Sequence, residues 1–174
     1  IRLCGHGDVV PGLINEAEAL IRGEFGKYIY GTDGESIAKV VVDRLIDLGE
    51  TVAVAESCTG GFLGHHITAI PGASAVFVGG IISYSNELKH KLLDVKNDTL
   101  EKHGAVSKAV ALEMAEGARA ATGADHTLSV TGIAGPGGGS TEKPVGTVWL
   151  GLASAGERPL AVKKHHPYNR ETFK

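Results

Sequence analysis

The apolar run Val52-x-Val54 leads at once into Glu56-Ser57-Cys58-Thr59-Gly60-Gly61 and then into Phe62-Leu63-x-x-His66-Ile67-x-x-Ile70. No other stretch constrains the chain more. The run reads as a buried strand, and the spacing after the glycines reads as a helix. Ser57 therefore stands where a strand turns into a helix, with small residues behind it. Such a turn exposes a hydroxyl beside unpaired backbone N–H groups, which stabilise negative charge. Two readings of Ser57 follow. It is a nucleophile, or it caps the helix by accepting from an N–H two or three residues on.

The surrounding pattern supplies the fold. Residues 1–31 read as strand, helix, strand: Leu13, Ala17, Leu20 and Ile21 have helical spacing, and Tyr28-Ile29-Tyr30 is a short strand ended by Gly31. A unit of that size cannot bury its own core, so it is expected to be a partial segment of a preceding domain. The main domain is expected over 32–174, with Thr32-Asp33-Gly34-Glu35 as a capping box for a helix carrying Ile37, Val40, Val41, Leu45 and Ile46. Strands are expected at 51–56, 75–84, 126–131, 145–153 and about 160–166. Helices are expected at 58–70 and 87–94 and after Ser107, where Val110, Met114, Ala118 and Ala121 share a face. Helices interleaved with strands, the last two strands joined across Gly156-Glu157-Arg158-Pro159, predict a three-layer α/β/α domain with a mixed sheet.

Composition narrows the class of function. A hydrophobic fraction of 43% with 21% charged residues is that of a globular protein rather than a disordered one. No apolar run reaches the roughly 18 residues of a membrane span. A net charge of −3, with only Lys163 and Lys164 adjacent, argues against a nucleic-acid partner. Two cysteines, Cys4 and Cys58, cannot build a disulfide framework and suit a reducing, cytoplasmic setting. The chain begins at Ile1 without an initiator methionine, as expected of a fragment or a processed chain.

A serine nucleophile needs a base, either histidine or a lysine whose pKa burial has lowered. Lys89 is the candidate. In Ser83-Tyr84-Ser85-Asn86-Glu87-Leu88-Lys89 it falls in the first turn of a helix that Asn86 can cap, at the end of a buried strand. The helix field opposes a cation there and lowers its pKa. The third piece is Val130-Thr131-Gly132-Ile133-Ala134-Gly135-Pro136-Gly137-Gly138-Gly139-Ser140, a loop of amides able to cradle an anion. It is neither a P-loop, lacking G-x-x-x-x-G-K-S/T, nor a dinucleotide-binding fingerprint.

Other signals lead nowhere. Ser36-Ile37-Ala38-Lys39 fits S-x-x-K but lies inside an amphipathic helix without the partner motifs. His65-His66 and His165-His166 are adjacent pairs that point apart on a helix, not metal ligands. Cys58 remains a rival nucleophile, since a helix N-terminus lowers a thiol pKa. No metal or organic cofactor is called for.

Six segments occur in order: Ala55-Glu56-Ser57-Cys58-Thr59-Gly60-Gly61, Pro71-Gly72-Ala73-Ser74, Ser83-Tyr84-Ser85-Asn86-x-x-Lys89, His103-Gly104-Ala105-Val106-Ser107, Val130-Thr131-Gly132-Ile133-Ala134-Gly135-Pro136 and Lys143-Pro144-Val145-Gly146-Thr147-Val148. Together they resemble the C-terminal domain of the CinA (competence/damage-inducible) family, from about residue 35 to the end. The resemblance implies hydrolysis of the carboxamide of nicotinamide mononucleotide to nicotinate mononucleotide and ammonia, in pyridine-nucleotide salvage. It implies Ser57 as nucleophile, Lys89 as general base and Thr131 as a group orienting the pair or the substrate. Substrate-binding positions are then Thr59, Gly60, Gly61, Tyr84, Gly132, Gly135, Gly137 and Arg170, the last on resemblance alone. A homo-oligomer is expected. The resemblance also implies an upstream domain, linked to a pyrophosphatase activity, that is absent here, and a further C-terminal helix beyond Lys174. A noncatalytic nucleotide-binding or interaction domain that keeps the pocket is the alternative.

Overall fold

Val52–Glu56 (β1) is buried along its whole length, which places it in the middle of a sheet rather than at its edge. A computed structural model describes His6 and residues 10–32 and 34–174. The elements are α1 (Val10–Phe25), α2 (Ile37–Leu48), β1, α3 (Phe62–Thr68), β2 (Phe77–Ile82), α4 (Asn86–Leu93), α5 (Asn97–His103), α6 (Lys108–Thr122), β3 (His126–Gly132), β4 (Thr147–Ser154), β5 (Leu160–His165) and α7 (Arg170–Phe173). The strands lie in the order β2-β1-β3-β4-β5. β1 runs parallel to both neighbours, and the β3–β4 and β4–β5 pairs are antiparallel. This is the expected α/β class with a mixed sheet.

The chain forms two compact units, Ile1–Val40 and Val41–Lys174. In the first, α1 buries no residue, and Leu13 and Leu20 are exposed. The strand expected before α1 lies outside the described residues. The strand expected at Tyr28-Ile29-Tyr30 does not form. Residues 26–28 make a 3-10 turn in which Ile29 N–H returns to the Gly26 carbonyl, and among the described residues no strand pairs with them. The capping box is shifted as well. Glu35 does reach back to the Thr32 N–H (3.2 Å), but the helix starts at Ile37, and Ser36 Oγ accepts from Lys39 N–H (3.2 Å).

The second unit has a helical layer on each face of the sheet. Period-two alternation turns Val52 and Val54 toward Val42 and Leu45 of α2 and Ile67 of α3. It turns Ala55 the other way, into a core of Leu93, Val95, Leu100, Val110, Met114 and Ala118 from α4, α5 and α6. A row of β3 hydroxyls ties the sheet to α6. Thr127 Oγ1 donates to the Ala115 carbonyl (2.6 Å), Ser129 Oγ to Ala111 (2.6 Å), and Thr131 Oγ1 to Ala105 just ahead of the helix (2.9 Å). Strand steps of two residues thus meet helix steps of four.

The α6–α4 contact is close enough to dictate a residue type. A Cβ placed on Gly117 would stand 1.8 Å from the Leu93 carbonyl oxygen. Gly117→Ala would push α6 away from the turn that follows α4. It should cost about 1–3 kcal/mol of stability despite alanine's better helix propensity, read as a lower midpoint in urea unfolding.

Candidate active site

At the end of β1 the alternation separates two side chains by one residue. Glu56 falls on the α3 side and Ser57 on the α4 side. The backbone stays locked through the turn: Ser57 N–H donates to the Val130 carbonyl (3.0 Å), and Ser83 N–H to the Glu56 carbonyl (2.8 Å). Glu56 is 1% exposed, and its carboxylate accepts from the N–H groups of Gly61 (3.0 Å), Leu63 (3.1 Å) and Gly64 (2.8 Å). Gly61, the residue before α3, has no side chain with which to cap it, so Glu56 does the capping from five residues upstream. Ser57 is therefore not the cap, and its hydroxyl faces elsewhere.

It faces Lys89. The ammonium nitrogen donates to Ser57 Oγ (2.8 Å) and to the carbonyls of Ser83 (2.7 Å) and Tyr84 (3.1 Å). Lys89 is 1% exposed, and burial lowers its pKa to about 8. The helix that carries it is capped by Ser85, whose Oγ accepts from Leu88 N–H, rather than by Asn86 as expected. Asn86 instead opens the helix, which sets Lys89 one turn in with its amine folded back over Ser83 and Tyr84.

Cys58 goes the opposite way from the sequence expectation. Its thiol is pushed up to about 11 by burial; its own backbone N–H, the Lys89 charge and the Thr59 N–H oppose this, and the nearby Glu56 charge adds a smaller upward push. It packs with Val130 and Val148, beside Leu63 and Phe173. At working pH it is a protonated, apolar filler.

The remaining expected residues divide into two groups. Tyr84, Gly135 and Arg170 come together: Arg170 Nη1 donates to the Gly135 carbonyl (3.0 Å) and Nη2 to the Tyr84 hydroxyl (3.2 Å). Thr131 does not join Ser57 and Lys89 by a hydrogen bond, since its proton goes to Ala105. Gly60 and Gly61 have no N–H to offer a ligand, because Gly60 donates to the Ser57 carbonyl (3.2 Å) and Gly61 to Glu56. The N–H groups of Cys58 and Thr59 go to neither carbonyls nor Glu56 among the described residues, and both bear on the Cys58 sulfur. Thr59 Oγ1 and Ser83 Oγ are buried without a hydrogen-bond partner. Gly132 is glycine for the chain's own packing, as a Cβ would meet Phe173, the Thr147 carbonyl oxygen and Cys58 Sγ within 2.9–3.2 Å. Gly137 lies open. Among the described residues no three His, Cys, Asp or Glu side chains group as metal ligands, and no helix is long and apolar enough to cross a membrane.

Comparison with known proteins places the chain in a family. Residues 34–174 match the family described as CinA C-terminal domain. A CinA-like protein of Parasynechococcus marenigrum is 51% identical over 151 residues, 86% of this chain and 36% of that protein. Another from Kosmotoga olearia is 50% identical over 157 residues, covering 90% of this chain and 38% of that protein. The chain thus spans little more than a third of the length of these relatives. Among solved structures, competence/damage inducible protein CihA from Agrobacterium tumefaciens superposes with a TM-score of 0.78 at 40% identity. That match covers 83% of this chain and 88% of the other. A CinA superfamily protein of Escherichia coli gives 0.77 at 32% identity, covering 83% and 86%.

The Thr131 contact makes a testable distinction. Thr131→Val keeps the shape but leaves the half-buried Ala105 carbonyl without its donor, so stability should fall by about 1 kcal/mol in denaturant unfolding.

Proposed function

The chain belongs to the CinA C-terminal domain family, and from that premise we propose that it is an amidohydrolase of the Ser–Lys type acting on the carboxamide of nicotinamide mononucleotide. One observation carries the reading: the threefold surroundings of Lys89 Nζ. Two of its three partners are carbonyl oxygens, which can only accept. When the amine is neutral, its two hydrogens satisfy them and its lone pair is left facing Ser57 Oγ, 2.8 Å away. Geometry and a pKa near 8 together make it a base for that hydroxyl.

Ser57 Oγ attacks the amide carbon as its proton passes to Lys89. The C=O π pair moves onto oxygen, and the oxyanion is met by the N–H groups of Cys58 and Thr59. Each well-placed donor contributes on the order of 3 kcal/mol. Collapse of the tetrahedral intermediate breaks the C–N bond while Lys89 returns its proton to the departing nitrogen, releasing ammonia and leaving an ester on Ser57. A water, deprotonated by the same amine, attacks the ester. Nicotinate mononucleotide leaves as Ser57 recovers its proton. Arg170, steadied by Gly135 and Tyr84, keeps further N–H donors of its planar fork for the phosphate, beside the open amides around Gly137.

Ammonia release from nicotinamide mononucleotide by the purified protein is the direct test. Ser57→Ala should lower the rate at least about a thousandfold while the protein stays folded, and Lys89→Arg should do the same because guanidinium does not give up its proton. Retained activity in either variant refutes the mechanism.

Below pH 8 the amine is protonated and has no lone pair to offer. kcat/KM should therefore fall about tenfold per pH unit on the acid side of a limb near 8 and level off above it. Arg170→Ala should depress kcat/KM for the mononucleotide far more than for free nicotinamide, which lacks the phosphate. Equal proportional losses would place phosphate recognition elsewhere.

A further inference from the structure

Glu56 is a buried carboxylate for which the mechanism above has no use. Among the described residues no cation is paired with it. Its charge is balanced by three backbone N–H groups, those of Gly61, Leu63 and Gly64. These are donors that the start of α3 would otherwise leave unpaired. A carboxylate in that place has two consequences. It clamps the turn, because residues 61–64 are tied to the end of β1 while Ser57 itself is tied to Val130 and Gly60. It also offsets the positive end of the helix close to two adjacent nucleophilic side chains, Ser57 and Cys58.

We propose that Glu56 is the positioning residue of this site, holding the turn that aims Ser57 at Lys89 and making Ser57, rather than Cys58, the reactive side chain. The proposal rests on the serine mechanism given above. Its logic is that of two neighbours under one field. A thiol beside a bare helix start ionises easily, and a thiolate is intrinsically the better nucleophile. With the helix start neutralised by a carboxylate, the thiol keeps its proton. The serine takes its activation from Lys89 on the other face of the sheet and depends on Glu56 only for its position. Burial is the first cause of the raised thiol pKa, and the Glu56 charge acts in the same direction, against the larger opposing charge of Lys89.

The test uses the full chain with Cys4, the only other cysteine in the sequence, changed to serine. Glu56→Gln keeps the shape but removes the charge and sets an NH2 against an N–H donor. Cys58 alkylation by iodoacetamide at pH 8 is measured in parent and variant, together with kcat and KM for the mononucleotide. The proposal expects alkylation at least about tenfold faster in Glu56→Gln. It expects kcat reduced about tenfold or more, with KM changed little, since the turn supplies the oxyanion donors rather than ground-state binding. Glu56→Asp separates charge from reach. It should leave Cys58 as unreactive as in the parent while lowering kcat, because the shorter side chain cannot span all three donors, and it serves alone if Glu56→Gln does not fold. Alkylation and kcat both within twofold of the parent in Glu56→Gln would overturn the proposal, as would fast Cys58 alkylation in Glu56→Asp. A fall in kcat with no rise in alkylation would overturn the choice between nucleophiles. If the parent releases no ammonia, the amidohydrolase reading fails, and the alkylation rates still judge Glu56 by themselves.

Discussion

A lysine amine with 1% of its surface exposed and, among the described residues, no carboxylate paired with it is expensive to keep charged, and the site is organised around that expense. Two carbonyls at the end of β2 give the nitrogen just enough polar company to stay buried, and too little to keep it fully protonated. A carboxylate in place of either carbonyl would hold the ammonium as a permanent ion pair and remove its usefulness. The parallel pairing of β1 with β2 sets Ile82 level with Glu56, so that Ser83 and Tyr84 follow beside Ser57, and α4 folds back over them. Sheet order, helix placement and the one-residue step between Glu56 and Ser57 serve a single buried nitrogen.

Much of this was legible in the sequence because it rests on local rules. Val52–Glu56 reads as a buried strand, the glycines after it as a turn, and Ser83–Lys89 as a strand end leading into a helix. Each of those readings depends on neighbours a few residues away. The mixed sheet was legible too, since the 145–166 region carries two adjoining strand patterns separated by a turn. The capping residues were placed one to four positions off, at Thr32 for Ser36 and at Asn86 for Ser85. Several adjacent residues can supply the same bond, and tertiary packing chooses among them.

What stayed hidden depends on contacts between distant segments. The resemblance made Thr131 a group orienting the catalytic pair or the substrate, and the β3 hydroxyl row of which it is part drew no notice. Only the packing of β3 on α6 shows the hydroxyls reaching helix carbonyls. Gly132 looked like part of an anion cradle, and its company of Phe173, Thr147 and Cys58 shows an ordinary packing constraint. Glu56 was passed over because caps are sought in the residue next to the helix, whereas this one reaches across a turn. A signal existed nonetheless. A carboxylate at the end of a fully apolar strand must find donors, and a helix about to begin is the nearest supply.

The residues that meet at Lys89 also meet late. Ser57 and Lys89 are 32 residues apart in sequence, and Arg170 and Tyr84 are 86 apart. Their encounter requires parallel strand pairing, the slow kind of contact to form because long loops must close first. In an unfolded or half-assembled chain Lys89 is hydrated, and its amine returns to a pKa of about 10.4, where it holds its proton at neutral pH. The base is thus not a residue that the chain carries from synthesis onward. It is a property of the finished sheet, and a polypeptide still searching for its strand order carries an inert serine.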